Sequence, residues 1–86
     1  MVRGYIDGGF DLPHSGHYNA IRQSKYMCDI LVLGVNSDSD LFKTKGPTIM
    51  NNKERNEIMK HCKFVDEVIE ETPYSPSLQF LDDINC

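Results

Sequence analysis

Two histidines three residues apart are the part of the sequence best suited to chemistry. His14 and His17 stand in the element His-Ser-Gly-His, a few residues after the pair Gly8-Gly9. If a helix begins here, both imidazoles lie at its N-terminus, where free backbone N–H groups and the helix dipole favour an anion. The same field disfavours imidazolium, so neutral histidines would donate hydrogen bonds to phosphate. Such donors stabilise charge that develops on phosphate oxygens during transfer.

The same two histidines have simpler interpretations. Histidines three apart on a helix can be surface side chains, and they can also be two ligands of a metal ion. A zinc site uses four protein ligands, or three and a water. The nearest further candidates, Cys28 and His61, belong to other elements at unrelated spacing. We therefore expect no metal ion held by protein side chains at this element.

Strands and helices that alternate along the chain must position the histidines. Apolar runs predict strands at residues 2–6, 29–35 and 64–69. The second run, DILVLGV, is apolar on both sides, which suits the middle of a parallel sheet. The alternation predicts an α/β fold, a parallel sheet with flanking helices and right-handed crossovers. Ligands of such sheets bind outside the carboxyl ends of the strands, where Gly8 and Gly9 fall.

Three helices are predicted between and after these strands. The first covers about residues 15–27, the second begins with a capping pair at Asn51 and Glu54, and the last begins at Ser75-Pro76. Residues 37–40 predict a short capped turn, and residues 43–47 predict a loop. The apolar sides of the three helices are then Ala20, Ile21, Ser24 and Met27; Ile58, Met59 and Cys62; and Leu78, Leu81 and Ile84.

Composition places the chain among ordinary folded domains. Its 86 residues are 40% hydrophobic and 26% charged, unlike a disordered tail. The formal net charge of −4 argues against a nucleic acid partner. No apolar run approaches the ~20 residues of a membrane span, and the first residues show no secretory leader. Three separated cysteines without a CxxC pair fit a reducing compartment, so we expect a cytoplasmic protein.

The segment from Gly8 to His17 resembles the signature of the nucleotidyltransferase superfamily. It reads Gly-Gly-Phe-Asp-Leu-Pro-His-Ser-Gly-His. Three later segments resemble the cytidylyltransferases in order and spacing: Lys45-Gly46-Pro47, Lys53-Glu54-Arg55, and Phe64-Val65-Asp66-Glu67-Val68-Ile69. Within that family, residues 5–11, 45–47 and 73–74 look most like the ethanolamine-phosphate branch. The choline-phosphate branch usually has tryptophan where Tyr74 stands.

The resemblance implies a Rossmann-like nucleotidyltransferase fold and a reaction. CMP would pass from CTP to phosphoethanolamine, giving CDP-ethanolamine and pyrophosphate. The phosphate of the amino alcohol would attack the α-phosphorus of CTP in line, so catalysis would consist of positioning and charge stabilisation. The resemblance also implies Mg²⁺ on the triphosphate, CTP and phosphoethanolamine as partners, and a homodimer formed through this domain.

The resemblance also assigns roles to individual residues. The catalytic residues would be His14, His17 and Lys45, which hold the triphosphate and neutralise phosphate charge. The nucleotide-binding residues would be Gly8, Gly9, Phe10, His14, His17, Lys45 and Arg55. Judged without the family, a lysine in a loop and an arginine in the first turn of a helix are both typical exposed surface residues.

Four further residues are candidates for binding phosphoethanolamine: Asp11, Asp38, Lys63 and Tyr74. The two aspartates fall near predicted strand ends, where they could hold the amino group, orient the histidines or simply cap turns. Tyr74 could stack on an ammonium group or anchor a packed loop. Lys63 stands where the family usually has arginine, so the positive charge is kept but the bidentate geometry is lost.

Several functions stay open at this point. A choline-phosphate or glycerol-3-phosphate cytidylyltransferase, an adenylyltransferase, and a non-catalytic domain of the same fold are the alternatives. Lys45-Gly46-Pro47 and the segment 65–68 argue against an adenylyltransferase, and the two intact histidines argue against a non-catalytic domain. We expect residues 1–86 to be the N-terminal part of one catalytic domain, inactive when isolated. The family continues with a further strand, a Gly-Asp-Asp element and an Arg-Thr-x-x-Ile-Ser-Thr segment.

Overall fold

The computed structural model describes residues 1–86 as one parallel sheet with helices packed around it. The three strands are β1 (Arg3–Gly8), β2 (Ile30–Asn36) and β3 (Glu67–Thr72), in the spatial order β1-β2-β3. The four helices are α1 (Ser15–Lys25), α2 (Asp38–Lys45), α3 (Asn52–Lys60) and α4 (Leu78–Asp83). Both strand pairs are parallel. The predicted α/β fold is therefore confirmed, with β2 in the middle of the sheet.

The hydrophobic core lies between β2 and the helices α1 and α3. Alternate residues of β2, Leu31, Leu33 and Val35, are fully buried together with Ile21 of α1 and Met59 of α3. Alternate side chains of a strand point to the same face, so this face of β2 carries the core. Other predicted members of the helix faces do not reach it: Met27 is 83% exposed and Leu78 is 82% exposed.

The other face of β2 carries a polar group of side chains instead. Asn36 and Thr72 are buried there, and the Nδ2 atom of Asn36 lies 3.3 Å from the Oγ1 atom of Thr72. Gly34 leaves room for the Tyr5 hydroxyl, because a Cβ at residue 34 would overlap this hydroxyl. The Phe80 ring of α4 packs edge-on against Tyr5, with ring centroids 5.6 Å apart. α4 therefore contacts this face of the sheet through Phe80.

Several predicted element boundaries are wrong, including the end of β1, which continues to Gly8, and the end of α1, which stops at Lys25. β3 begins at Glu67, because Phe64 and Val65 pack against the core from the turn before it rather than from a strand. α4 is capped by Ser77, whose hydroxyl accepts the Phe80 N–H, so the helix begins two residues after the predicted start. Residues 43–47 are not all loop, since α2 continues to Lys45.

The extra length of α2 has a local cause. The Ser37 side chain caps the helix by accepting the Asp40 N–H, and the acidic first turn and basic last turn both suit the helix dipole. Gly46 ends the helix with φ of 94°, a conformation that favours glycine. Lys45 is therefore the last residue of a helix that stops abruptly. None of the four helices has the length and hydrophobicity to cross a membrane.

Candidate active site

A cleft of about 450 Å³ opens at the carboxyl end of β1. The loop after β1 forms one side of the cleft, and the end of α2 with the residues after it forms the other. The lining residues are Asp7, Gly8, Gly9, Phe10, Asp11, His17, Leu41, Lys45, Gly46, Pro47 and Thr48. The fold thus brings the glycine pair, one histidine and the candidate phosphate-binding lysine to one place.

The loop after β1 has a constrained backbone. Phe10 and Leu12 both have positive φ, of 51° and 52°, which is uncommon for residues with side chains. Phe10 is buried in the core, so only its backbone is available to a ligand. A Cβ at Gly9 would lie 3.2 Å from Leu41 of α2, so the glycine lets the loop approach that helix closely. The loop therefore packs against the core through Phe10 and against α2 at Gly9.

The two histidines cap α1 together. The Nδ1 atom of His14 accepts the Gly16 N–H at 3.0 Å, and the Nδ1 atom of His17 accepts the His14 N–H at 3.1 Å. The two ring centroids lie 4.2 Å apart. A Cβ at Gly16 would lie 2.7 Å from the His14 ring. The glycine therefore makes room for the His14 ring itself.

This capping arrangement fixes where the imidazole hydrogens lie. A nitrogen that accepts a hydrogen bond carries no hydrogen, and a neutral imidazole carries its hydrogen on the other ring nitrogen. Inferred from the hydrogen-bond network, both histidines therefore carry the hydrogen on Nε2. Each Nε2–H is free to donate to a phosphate oxygen. The predicted donor role of His14 and His17 is thus compatible with their local structure.

Lys45 faces the cleft from the end of α2, where a cation also suits the helix dipole. Its Nζ atom lies 5.7 Å from the centroid of the Tyr74 ring. The ring that we considered as a partner for a substrate ammonium therefore already faces the ammonium group of Lys45. Lys45 takes part in none of the ion pairs of the structure, so its charge remains available to an anion.

Arg55 is buried, contrary to the exposed position that its place in a first helical turn indicates. Its guanidinium donates to the carbonyl oxygens of Met50, Gly9 and Asn36 and to the carboxylate of Asp38. Four of its five N–H groups are thereby used within the protein. Only one N–H group of Arg55 remains for a nucleotide. Arg55 therefore joins the ends of β1 and β2 to α2 rather than lying open to the cleft.

Both candidate aspartates also have protein partners. The two carboxylate oxygens of Asp11 accept the backbone N–H groups of Ile49 and Met50 at 2.9 and 2.8 Å. These hydrogen bonds, the one from Ile49 above all, hold the pKa of Asp11 below its ordinary value. Asp38 receives the Arg55 guanidinium and the Asn52 N–H. The two side chains therefore hold the loop between α2 and α3 in place.

The structure does not bring Lys63 into this cleft. Lys63 precedes β3, at the opposite edge of the sheet from the carboxyl ends, because all three strands run in the same direction. Its Nζ atom lies 5.1 Å from the centroid of the Phe64 ring, beside His61 in a separate groove. The substrate role that we expected for Lys63 has no support in this arrangement.

Asp7 is a cleft residue that the sequence did not single out. Its carboxylate lies 3.5 Å from the Tyr5 hydroxyl, and burial raises its pKa above the ordinary value. Burial also raises the pKa of Tyr5, to about 12. A carboxylate at the end of a strand, directly before Gly8-Gly9, is the sequence signal that could have identified it. The cleft thus holds two acidic side chains of opposite character, since burial raises the pKa of Asp7 whereas backbone hydrogen bonds lower the pKa of Asp11.

Comparisons with known proteins agree with this geometry. A family model described as cytidylyltransferase-like matches residues 5–86, and the chain belongs to that family. It is 48% identical to an ethanolamine-phosphate cytidylyltransferase of Dictyostelium discoideum over 99% of this chain and 24% of that protein. It is 43% identical to a probable choline-phosphate cytidylyltransferase of Schizosaccharomyces pombe over 95% of this chain and 23% of that protein.

A solved structure shares the fold. The lipopolysaccharide core biosynthesis protein from Thermoplasma volcanium superposes with a TM-score of 0.88 at 26% sequence identity. The match covers 98% of this chain and 68% of the other. The chain spans about a quarter of the length of the curated relatives it matches. Its family and fold are therefore shown, whereas the activity of the whole protein is a matter for proposal.

Proposed function

We propose that the cleft transfers CMP from CTP to phosphoethanolamine, giving CDP-ethanolamine and pyrophosphate. The observation that carries this proposal is the capping of α1 by the Nδ1 atoms of His14 and His17, which leaves both Nε2 atoms as donors, with His17 and Lys45 lining one cleft. Histidine donors and a lysine cation suit a triphosphate. The 48% identity to an ethanolamine-phosphate cytidylyltransferase supports the choice of nucleotide and acceptor.

The proposed reaction needs little from the protein besides position and charge. A phosphate oxygen of phosphoethanolamine attacks the α-phosphorus of CTP, a new P–O bond forms, and pyrophosphate leaves with the electrons of the broken bond. The histidines donate to oxygens that gain negative charge in the transition state. Lys45 places a full positive charge beside the triphosphate. The loop after β1 holds the nucleotide in line with its attacker.

Asp7 is the proposed partner of the ethanolamine ammonium group. Asp11 and Asp38 are occupied by backbone N–H groups and by Arg55, whereas the Asp7 carboxylate lines the cleft and contacts the side chains of Tyr5 and Asn36. A primary ammonium brings three N–H donors, and a site that accepts them penalises an acceptor that lacks them. Trimethylammonium favours aromatic rings instead. The geometry therefore favours phosphoethanolamine over phosphocholine.

Magnesium enters this proposal only with the nucleotide. No group of three or more metal-ligating side chains comes together in the chain, so its own residues do not fit a protein-held metal site. We propose that Mg²⁺ arrives bound to CTP, and no step above depends on it. A homodimer is likewise proposed on the family resemblance alone, and light scattering of the purified protein would test it.

Choline-phosphate cytidylyl transfer is the second candidate, because a relative of that name is 43% identical. Initial rates with phosphoethanolamine, phosphocholine and glycerol 3-phosphate, each with CTP and with ATP, separate the candidates. We expect the highest kcat/KM for CTP with phosphoethanolamine. Equal kcat/KM for phosphocholine would contradict the acceptor assignment, and a preference for ATP would contradict the nucleotide assignment. No turnover with any pair would contradict the proposed function itself.

A further inference from the structure

Tyr74 contacts one side chain of the cleft, that of Lys45. It lies in the connection between β3 and α4, it is 40% exposed, and it does not line the cleft itself. The Lys45 ammonium stands 5.7 Å from the centroid of its ring, within the range of a cation–π interaction. The aromatic face of Tyr74 is therefore directed at the lysine of the cleft.

A second contact ties the same tyrosine to the same helix. The Tyr74 N–H donates to the Oδ2 atom of Asp40 at 3.2 Å. Asp40 and Lys45 both belong to α2, whose only buried side chain is Leu41. The connection after β3 thus contacts this helix at two points, one near its start and one at its last residue.

We propose that Tyr74 is a positioning residue for Lys45, and that Asp40 holds Tyr74 in place for this purpose. The inference rests on the proposed function, in which Lys45 binds the triphosphate of CTP. A lysine side chain loses rotamer entropy when it is immobilised. A ring that already restricts Lys45 reduces what the lysine loses when CTP binds.

A ring suits this purpose better than a carboxylate does. An ion pair would hold Lys45 as well, but it would neutralise the charge that the triphosphate needs. The Tyr74 ring attracts the ammonium through its quadrupole and leaves its charge intact. Lys45 forms no ion pair in the structure, in agreement with this division of roles.

A double-mutant cycle on the full-length protein tests the inference. We expect Tyr74→Leu to raise KM for CTP about two- to five-fold, the range of an exposed cation–π contact, with a smaller change in kcat. Lys45→Met should raise KM more. In the Lys45→Met background, Tyr74→Leu should have no further effect, because the group it positions is gone. Equal effects in both backgrounds, or tighter CTP binding by Tyr74→Leu, would overturn the inference.

The chain offers matched controls. Arg22 lies 5.6 Å from the centroid of the Tyr26 ring, a similar cation–π pair on α1 outside the cleft. Tyr26→Leu should leave KM for CTP unchanged. Asp40→Ala should reproduce the rise in KM of Tyr74→Leu, whereas Asp40→Asn, which keeps an acceptor oxygen, should restore part of the loss. An equal loss in both Asp40 variants would remove Asp40 from the inference.

A readout that does not depend on turnover separates this inference from the proposed function. In the ligand-free protein the Tyr74 ring current should shift the Lys45 Hε proton resonances upfield. Tyr74→Leu should abolish that shift, and Tyr74→Phe should largely keep it. If wild-type protein shows no such shift, the positioning role is refuted even where CTP is turned over. If the shift is present and CTP is not turned over, the proposed function fails instead.

Discussion

The Nδ1 atom of His17 accepts the backbone N–H of His14, so the second histidine of the pair helps to cap the helix that the first one begins. His14 completes the arrangement by accepting the Gly16 N–H. The capping box usually pairs serine or threonine with glutamate. Here two imidazoles satisfy the same backbone groups and keep a hydrogen on each Nε2. The side chains that begin the helix are therefore the same two that we propose as phosphate donors.

The histidine pair gives the first prediction. We expect His14→Ala and His17→Ala each to lower kcat about 10²–10³-fold, the usual loss for one preorganised donor. His14→Asn should lower kcat as well but preserve thermal stability better than His14→Ala, because asparagine is a good helix cap. Steady-state kinetics and thermal unfolding measure the two effects. Wild-type turnover in either alanine variant would contradict the catalytic assignment.

Gly16→Ala gives the second prediction. Alanine favours a helix more than glycine does, so the variant should unfold at a similar temperature to wild type. Its Cβ would nevertheless meet the His14 ring. We expect the ring to move and kcat to fall at least ten-fold without a comparable loss of stability. Unchanged kcat would show that the observed position of His14 is not needed for the reaction.

Arg55→Met gives the third prediction. The substitution leaves three carbonyl oxygens and the Asp38 carboxylate without a guanidinium donor. Breaking a buried ion pair costs about 3–5 kcal/mol, and we expect a loss near the lower end because Asp38 is half exposed. Urea unfolding measures it, with Arg22→Met on the surface of α1 as the control. A loss no larger than that of the control would show that Arg55 does not brace the cleft.

Asp7→Asn gives the fourth prediction, in which stability and function change in opposite directions. Burial raises the pKa of Asp7, so ionising it costs folding free energy. The contribution of Asp7 to the stability of the wild type should therefore fall as the pH rises from the ordinary aspartate pKa through the raised one, whereas Asp11, Asp66 and Glu67, whose pKa values are lowered, contribute in the opposite direction in both proteins. Asp7→Asn should lack this fall and be the more stable protein at pH 7.

The same Asp7→Asn substitution should raise KM for phosphoethanolamine at least ten-fold, since an amide oxygen is a weaker partner for an ammonium group than a carboxylate. KM for CTP should change less. Thermal unfolding between pH 3 and 8 and initial-rate kinetics at pH 7 check the two parts. A variant that is less stable at pH 7, or that binds phosphoethanolamine normally, would contradict the respective part.

The sequence was sufficient for features that are local in the chain. The segment from Gly8 to His17 carries the turn and the helix start in consecutive residues, and the apolar run of β2 identifies the central strand. The sequence could not predict the buried position of Arg55, because two of the carbonyl oxygens that Arg55 binds belong to Gly9 and Asn36, which are 46 and 19 residues away along the chain.

The start of β3 was missed for a related reason. Phe64 and Val65 are as apolar as strand residues, but they fill the core from a turn. Only the register with β2 shows that the ladder begins at Glu67. Leu78 is the converse case. Its helical spacing predicts a buried side chain, but Leu78 is exposed, and α4 packs against Tyr5 through Phe80 instead. Which apolar residue reaches a neighbour depends on how elements pack, and periodicity does not contain that information.

The most direct test of the account follows the phosphate oxygens of the acceptor. The full-length protein is incubated with unlabelled CTP and with phosphoethanolamine that carries ¹⁸O at all three non-ester phosphate oxygens. Mass spectrometry then measures the ¹⁸O content of the products. Direct attack on the α-phosphorus predicts CDP-ethanolamine that carries all three labelled oxygens and pyrophosphate that carries none. Label in pyrophosphate, or the absence of CDP-ethanolamine, would contradict the proposed transfer.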